Sequence, residues 1–428
     1  MRGDGATPAA LIFINNYVRG LAMANQSGVR LQLALPARAE PLLVPAASSP
    51  ALSVPSGAFF VWPVYMPLPA SAGGLVLAYA LAQPLGAVET PGGPVLLFAA
   101  THGMSVEMCF EGAAGLTVVS CAGNCSVEGG LLFARSLAAG RGAALTLRTG
   151  SRAGAAAAVV TFVVLDKDAG AERVWFGELA GQRRAFIVGE DAADASSMIE
   201  FDAEGAGAPL LRLVSDGATA ATSVLPAPAS LAPAAGGPAL VGAPDGIFTR
   251  YVVPLPPAPV TVSAALAAAA DVPPAVVAGA AGNAVAPGDD GSLAGWAAAA
   301  AWTLTFAPAG VVADPATEFI LVVDFIGDAA RLLTSPSPSA GYTDLLNDAF
   351  FNAPASPAQQ WETPMTRLLG PVVPLTLTLR VLPLREDAQA LVGLDQWPPV
   401  GSGPGNTSLA LNGVRIVRRA TVSLVAVA

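Results

Sequence analysis

The chain has 428 residues, a formal net charge of −10 and a 53% apolar composition inflated by alanine. That length exceeds what one hydrophobic core usually organises, so two or three domains are expected, and 45 glycines with 38 prolines argue against a mostly helical chain. The acidic balance argues against nucleic-acid and anionic-membrane partners, which need clustered Lys and Arg, and leaves neutral ligands such as sugars open.

From the amino-terminal end, strand signals recur at short spacing: Leu11 to Tyr17, Val29 to Leu35, Ala58 to Val64, Leu75 to Ala82, Val95 to Ala100, Met104 to Phe110, Leu116 to Ser120 and Leu145 to Arg148. Val29-Arg30-Leu31-Gln32-Leu33 alternates in type, as a sheet with one wet face requires. Residues 1–150 therefore read as a first antiparallel β-sandwich domain.

Gly150 to Ala158 is a break of small residues, Val159 to Leu165 is a continuous apolar strand, and Glu172 to Leu179 is expected to be a short helix with Asp168 near its start as a cap. Residues 151–245 form an intermediate β-rich segment ending in the Pro/Ala/Gly tract Leu225 to Gly246, read as a linker or surface loop. A similar tract spans Asp271 to Gly291.

Ala301 to Phe306, Glu318 to Asp324, Leu375 to Pro383 and Val414 to Val427 then supply the strands of a carboxyl-terminal jelly-roll-like domain, residues 246–428. Leucine at every second position from Leu375 to Leu379 is its clearest strand pattern. The expected fold class is mainly β: two or more antiparallel β-sandwich or jelly-roll domains, few short helices and no catalytic barrel. The uncharged runs Tyr251 to Ala270 and Gly291 to Ala313 are alanine-rich or broken by proline, and no membrane span is expected. No basic region followed by an apolar run opens the sequence, so no signal peptide is recognisable and the compartment is left open.

Several motifs stand in a distinctive order. They are Leu11 to Arg19 (LIFINNYVR), Phe59 to Pro63 (FFVWP), Leu77 to Pro84 (LAYALAQP), Val322 to Leu332 (VVDFIGDAARL), Asn347 to Asn352 (NDAFFN), Trp361-Glu362 and Leu382 to Arg385. The set resembles the post-barrel β-sandwich region of bacterial-type β-galactosidases of glycoside hydrolase family 35. The resemblance implies a catalytic barrel carried by another segment as a partner, galactosides as the ligands in play, and no catalytic residue in this chain.

The chemistry of the residues agrees with that implication. A retaining glycosidase needs two carboxylates about 5 to 5.5 Å apart. A barrel that presents them needs about 250 residues of alternating strand and helix, and this chain lacks both that pattern and an Asn-Glu pair such as holds the family's acid/base. Asp324 and Asp328 flank Gly327, and with Arg331 they read as a structural turn in which carboxylate and guanidinium pair.

Aromatic platforms beside polar side chains suit a pyranose, whose ring offers an apolar face rimmed by hydroxyls. Trp361, following Asn347, Asp348 and Asn352, is the leading carbohydrate-contact candidate, and Trp62 with Tyr65 is a second. The insertion from Ala353 to Gln360 departs from the family's spacing.

His102 is the only histidine, which excludes a multi-histidine metal site and leaves a turn histidine before Gly103. Cys109, Cys121 and Cys125 lack paired Cys-x-x-Cys spacing and can form at most one bridge within the chain. No metal or cofactor is expected. Lys167, the single lysine, follows no glycine-rich phosphate loop. The expected function is that of a non-catalytic β-sandwich portion supporting a β-galactosidase-like barrel and contacting galactosides. The alternative is a free-standing carbohydrate-binding or structural adhesion protein.

Overall fold

A computed structural model describes residues 9–18, 23–36, 40–101, 103–150, 157–167, 173–188, 198–200, 210–215, 219–233, 238–254, 260–267, 300–308, 317–326, 329–334, 343–345, 358–364, 375–382 and 414–426. Among them the fold is mainly β, as the sequence predicts, and its helical elements are short 3-10 turns such as Ala70–Ala72 and Ala113–Gly115. None of the described residues forms a helix long and apolar enough to cross a membrane.

The amino-terminal half is layered. Strands β1 (Ala10–Asn15), β6 (Phe59–Val64), β7 (Val76–Ala80), β10 (Glu107–Glu111), β13 (Leu131–Arg135) and β12 (Asn124–Glu128) form one sheet in that order. A second sheet runs β11 (Leu116–Cys121), β14 (Leu145–Thr149), β15 (Val159–Leu165), β9 (Gly93–Ala99), β8 (Gln83–Thr90). It includes strands from either side of residue 150, and β15 pairs with β9 in parallel while the other neighbours run antiparallel.

Between these two sheets, Leu77, Met108, Phe110, Leu132 and Ala134 meet Leu96, Phe98, Leu145, Leu147, Val160, Phe162 and Val164. Phe110 and Phe162 pack edge to face, with ring centroids 5.1 Å apart.

The alternate side chains of the same strands are also buried. Trp62, Tyr79, Cys109 and Phe133 turn to the opposite face of the first sheet, under Val44 of β4 (Leu42–Val44) and Val54 of β5 (Leu52–Val54). Those two short strands pair with β3 (Leu31–Leu33) and β2 (Gln26–Val29) respectively.

On the outer face of the second sheet, Val95, Leu97, Val163 and Leu165 pack against Ala185, Ile187, Leu225 and Phe248 of a third sheet. Its order is β16 (Val174–Leu179), β17 (Gln182–Val188), β20 (Thr219–Leu225), β23 (Phe248–Pro254), β22 (Ala243–Asp245). Strands such as β9 and β15 are therefore buried on both faces, which is why they read as unbroken apolar runs and not as alternations.

Two further sheets contain the carboxyl-terminal strands. One runs β18 (Met198–Glu200), β19 (Leu210–Ser215), β31 (Val414–Ala426), β26 (Thr317–Ile326), β29 (Ala358–Pro364), and β21 (Leu231–Pro233) pairs with β31. The other runs β24 (Val260–Ala267), β25 (Ala300–Pro308), β30 (Leu375–Leu382), β27 (Ala329–Thr334), β28 (Thr343–Leu345).

Three expectations are corrected. The predicted helix from Glu172 to Leu179 is a strand over its described part, because Val174 to Leu179 forms a tight hairpin with Gln182–Val188 through Ala180 and Gly181. Cross-strand pairing of Trp175 with Phe186 and of Val174 with Ile187 outweighs any local helical preference. The tract from Leu225 to Gly246 is more than a linker, since Leu231–Pro233 and Ala243–Asp245 are both strands within it. In the motif from Val322 to Leu332 the strand ends at Ile326, just before Gly327, as expected, but Asp324 and Arg331 do not share a turn. Asp324 lies within β26 opposite Gln360, and Arg331 lies within β27 opposite Arg380, in different sheets. Gly327 and Asp328 lie outside the described residues.

Candidate functional site

The carbohydrate-contact candidates separate in space. Trp62 is wholly buried, with its ring 4.4 Å from that of Phe60, so it belongs to the core and offers no face to a sugar. It sits there because β6 directs Phe60, Trp62 and Val64 to one face by the two-residue period. Tyr65, half-buried at φ 48°, donates its hydroxyl to Glu111 at the end of β10 in the same sheet. Trp361 stands on β29 opposite Val323. Asn347, Asp348 and Asn352 lie outside the described residues, as do His102 and Asp168.

Two carboxylates do approach each other, through Arg135. Its Nε donates to Glu107 at 3.2 Å and to Ser49 Oγ at 2.8 Å. Nη1 donates to Glu128 at 2.6 Å and Ser126 Oγ at 2.9 Å, and Nη2 donates to Glu128 at 3.1 Å and Ser48 Oγ at 3.0 Å. The second Glu107 oxygen accepts the Tyr79 hydroxyl, which in turn accepts the Ala46 N–H at 3.0 Å.

Hydrogen bonds from Arg135, then from Ser48 and Ser126, hold the Glu128 carboxyl down at about 2. Burial first and Glu107 second push the Tyr79 phenol above its ordinary range. Both carboxylates are thus committed to one guanidinium. The arrangement clamps the loop carrying Ser48 and Ser49 onto the first sheet, and it presents neither a free acid nor a free nucleophile.

An open site lies at one end of the sandwich, where the chain crosses between the first two sheets. The crossing from β9 to β10, the crossing from β13 to β14 and the exit from β15 surround a cleft of about 340 Å³. Thr101, Ser105, Ser136, Asp166 and Lys167 supply its polar wall, and Met104, Val106 and Leu137 are among its apolar lining.

Backbone hydrogen bonds fix the three segments: Ala100 N–H to Leu165 O at 2.8 Å, Met104 N–H to Thr101 O at 3.0 Å and Leu137 N–H to Val106 O at 3.2 Å. Ser136 adopts φ 51°, a left-handed conformation uncommon for a residue with a Cβ, and its hydroxyl is 3.4 Å from that of Ser105. Thr101 is only 7% exposed, and its hydroxyl has no hydrogen-bond partner among the described residues. Lys167 also reaches the ring of Phe59, with its Nζ 5.1 Å from the centroid.

Sequence reasoning passed over this cleft. Thr101, Ser105 and Ser136 are ordinary loop residues in the linear chain, and Lys167 is conspicuous there only as a compositional oddity. The one usable signal was the cluster of small and polar residues directly after strongly apolar strands.

Among the described residues no group of three His, Cys, Asp or Glu side chains could hold a metal ion. Cys121 and Cys125 form a disulfide joining the edge strand β11 of the second sheet to the edge strand β12 of the first, and Cys109 is buried and outside any disulfide. No family model and no curated protein matches this chain.

Proposed function

We propose that this chain is the non-catalytic β-sandwich portion of a β-galactosidase-like glycoside hydrolase, packing beside a barrel carried by another segment and contacting galactosides. The observation that carries this reading is the position of the motifs resembling family 35. Leu11 to Asn15 of the first motif and FFVWP lie on the paired strands β1 and β6, and Phe13, Tyr17 and Phe59 are exposed at 57%, 38% and 61%. The rings of Tyr17 and Phe59 lie 6.1 Å apart, so the three form a small apolar face of the kind a neighbouring domain covers. The Cys121–Cys125 bridge suits an oxidising compartment, where secreted polysaccharide-degrading enzymes work.

Two assays test the reading. The chain alone should not turn over a chromogenic galactoside, and a separately produced family 35 barrel should bind it through the aromatic face. Turnover abolished by a single carboxylate substitution would end the proposal. So would barrel binding unchanged in Phe13→Asp and Phe59→Asp.

A second reading, a free-standing carbohydrate-binding protein, is favoured by the cleft at the sandwich end. It predicts sugar binding with no contribution from any barrel.

A further inference from the structure

We propose that Asn25 is the acceptor of an N-linked glycan. Such a modification depends neither on a barrel nor on a bound sugar. It needs an acceptor tripeptide, passage through an oxidising secretory compartment, which the Cys121–Cys125 bridge suits, and a fold that leaves the tripeptide open.

Asparagine followed by a residue other than proline and then by serine or threonine occurs at Asn25-Gln26-Ser27, Asn124-Cys125-Ser126 and Asn406-Thr407-Ser408. The last of these lies outside the described residues. In the transfer, the side-chain amide nitrogen attacks the anomeric carbon of an oligosaccharide carried on a lipid diphosphate. The N–C1 bond forms as the C1–O bond to the diphosphate breaks, the lipid diphosphate leaves with the electron pair, and the amide gives up one of its two protons. Nδ2 must therefore face a bulky donor with the hydroxyl two residues on free beside it, whereas Oδ1 can keep a partner.

Asn25 meets these conditions. It is exposed, as are Gln26 and Ser27, at the entry to β2 in a two-stranded sheet. Its Oδ1 accepts the Ser56 N–H at 2.8 Å, which anchors the side chain and leaves the nitrogen outward bound to nothing: among the described residues neither Nδ2 nor the Ser27 hydroxyl holds a hydrogen bond. Gly28 follows at φ 72°, where the pairing of β2 with β5 shifts register, so the tripeptide is not locked into a continuous ladder.

Asn124 is exposed too, but its tripeptide is tied down. Asn124 is paired opposite Arg135 within β12, and Cys125 is bonded to Cys121. The Ser126 hydroxyl donates to Glu128 at 2.8 Å and accepts from Arg135 at 2.9 Å. Once bridge and clamp have formed, amide and hydroxyl cannot be presented together.

Peptide mapping of the full-length protein from its own cells tests the proposal, using a peptide-N-glycosidase in heavy-oxygen water to convert each glycosylated asparagine to a tagged aspartate. Asn25 is expected to carry the tag and Asn124 to remain asparagine. In the full chain secreted by a eukaryotic host, Asn25→Gln and Ser27→Ala should each lose one oligosaccharide from the intact mass, and Ser27→Thr should keep it. Ser27→Ala leaves the bond from Ser56 to Asn25 in place, and its thermal midpoint is measured alongside to show that it is folded.

An untagged Asn25 in the native protein would overturn the proposal, as would an unchanged mass in folded Ser27→Ala. Tagging of Asn124 to the same extent as Asn25 would overturn the structural distinction between them. None of these results bears on whether the chain docks a barrel through Phe13 and Phe59, which the barrel-binding assay decides separately.

Discussion

The Arg135 guanidinium lies 3.2 Å from the carboxylate of Glu107, which is only 5% exposed, and the contact joins neighbouring strands at the register pair Glu107 and Arg135. Burying a carboxylate this deeply is tolerated because the guanidinium and the Tyr79 hydroxyl occupy its two oxygens. Arg135→Met keeps an apolar stem but leaves Glu107 buried without a counter-charge. We expect a loss of about 3 kcal/mol in urea unfolding, and partial recovery in the double variant Arg135→Met, Glu107→Gln. An additive double variant would show that the two groups do not depend on each other.

Tyr79 sets the alkaline limit of this region. Its phenol is held protonated in the folded chain, by burial first and by Glu107 second, so its folded pKa stands above the unfolded value of about 10. The stabilisation is fully present below about pH 10 and is lost as pH rises beyond it, because the unfolded chain then releases a proton that the folded chain keeps. Tyr79→Phe should cost about 1–3 kcal/mol at neutral pH, since Glu107 loses a donor and the Ala46 N–H loses an acceptor. Its stability should also fall less steeply than the parent's above pH ~10, by up to about 1.4 kcal/mol per pH unit. Parallel alkaline limbs in the two proteins would contradict this assignment.

Gly93 opens the strand β9 at φ 111°, and a Cβ placed there would stand 2.0 Å from the carbonyl oxygen of Val159. Gly93→Ala must therefore displace the start of β15, the strand that β9 pairs in parallel. A loss of about 2 kcal/mol or more is expected. Gly129→Ala is the control: φ is 58° with open space around it, so only the left-handed backbone penalty of about 1–2 kcal/mol applies. Equal losses in the two variants would remove the steric explanation.

Thiol counting checks the cysteine assignment. The native protein should react with no thiol reagent, because Cys109 is buried and Cys121 is bonded to Cys125. Unfolding without reductant should expose one thiol, and unfolding with reductant three. With only four residues of sequence separation, the bridge closes a short loop, and its reduction should lower stability by about 2 kcal/mol.

Fold class was legible in the chain because apolar strands punctuated by Gly and Pro survive as a local pattern. Val159 to Leu165 runs over the same residues in sequence and structure, and Leu145–Thr149 exceeds the expected strand by a single residue. Glu172 to Leu179 failed because its partner strand lies beyond a two-residue turn, and pairing with Phe186 and Ile187 decided its conformation. Gln83–Thr90 and Leu131–Arg135 were missed for the same reason: each pairs across a two-residue turn, with Gly93–Ala99 and with Asn124–Glu128 respectively. Trp62 was misplaced as a sugar platform because aromatic character signals core and ligand alike, and only its position under Val44 and Val54 separates the two.

By itself, the sequence determined the β class, the exclusion of a multi-histidine metal site and the ordered motifs on which the family resemblance rests. These follow from residue identity and short-range period alone. Tertiary structure decided that Thr101, Ser136 and Lys167 share one cleft, that Glu107 and Glu128 share one arginine, and that Cys121 bonds Cys125 across two sheet edges. Each of these joins residues whose proximity is fixed by how sheets stack and where strands cross between layers, and no local pattern records it.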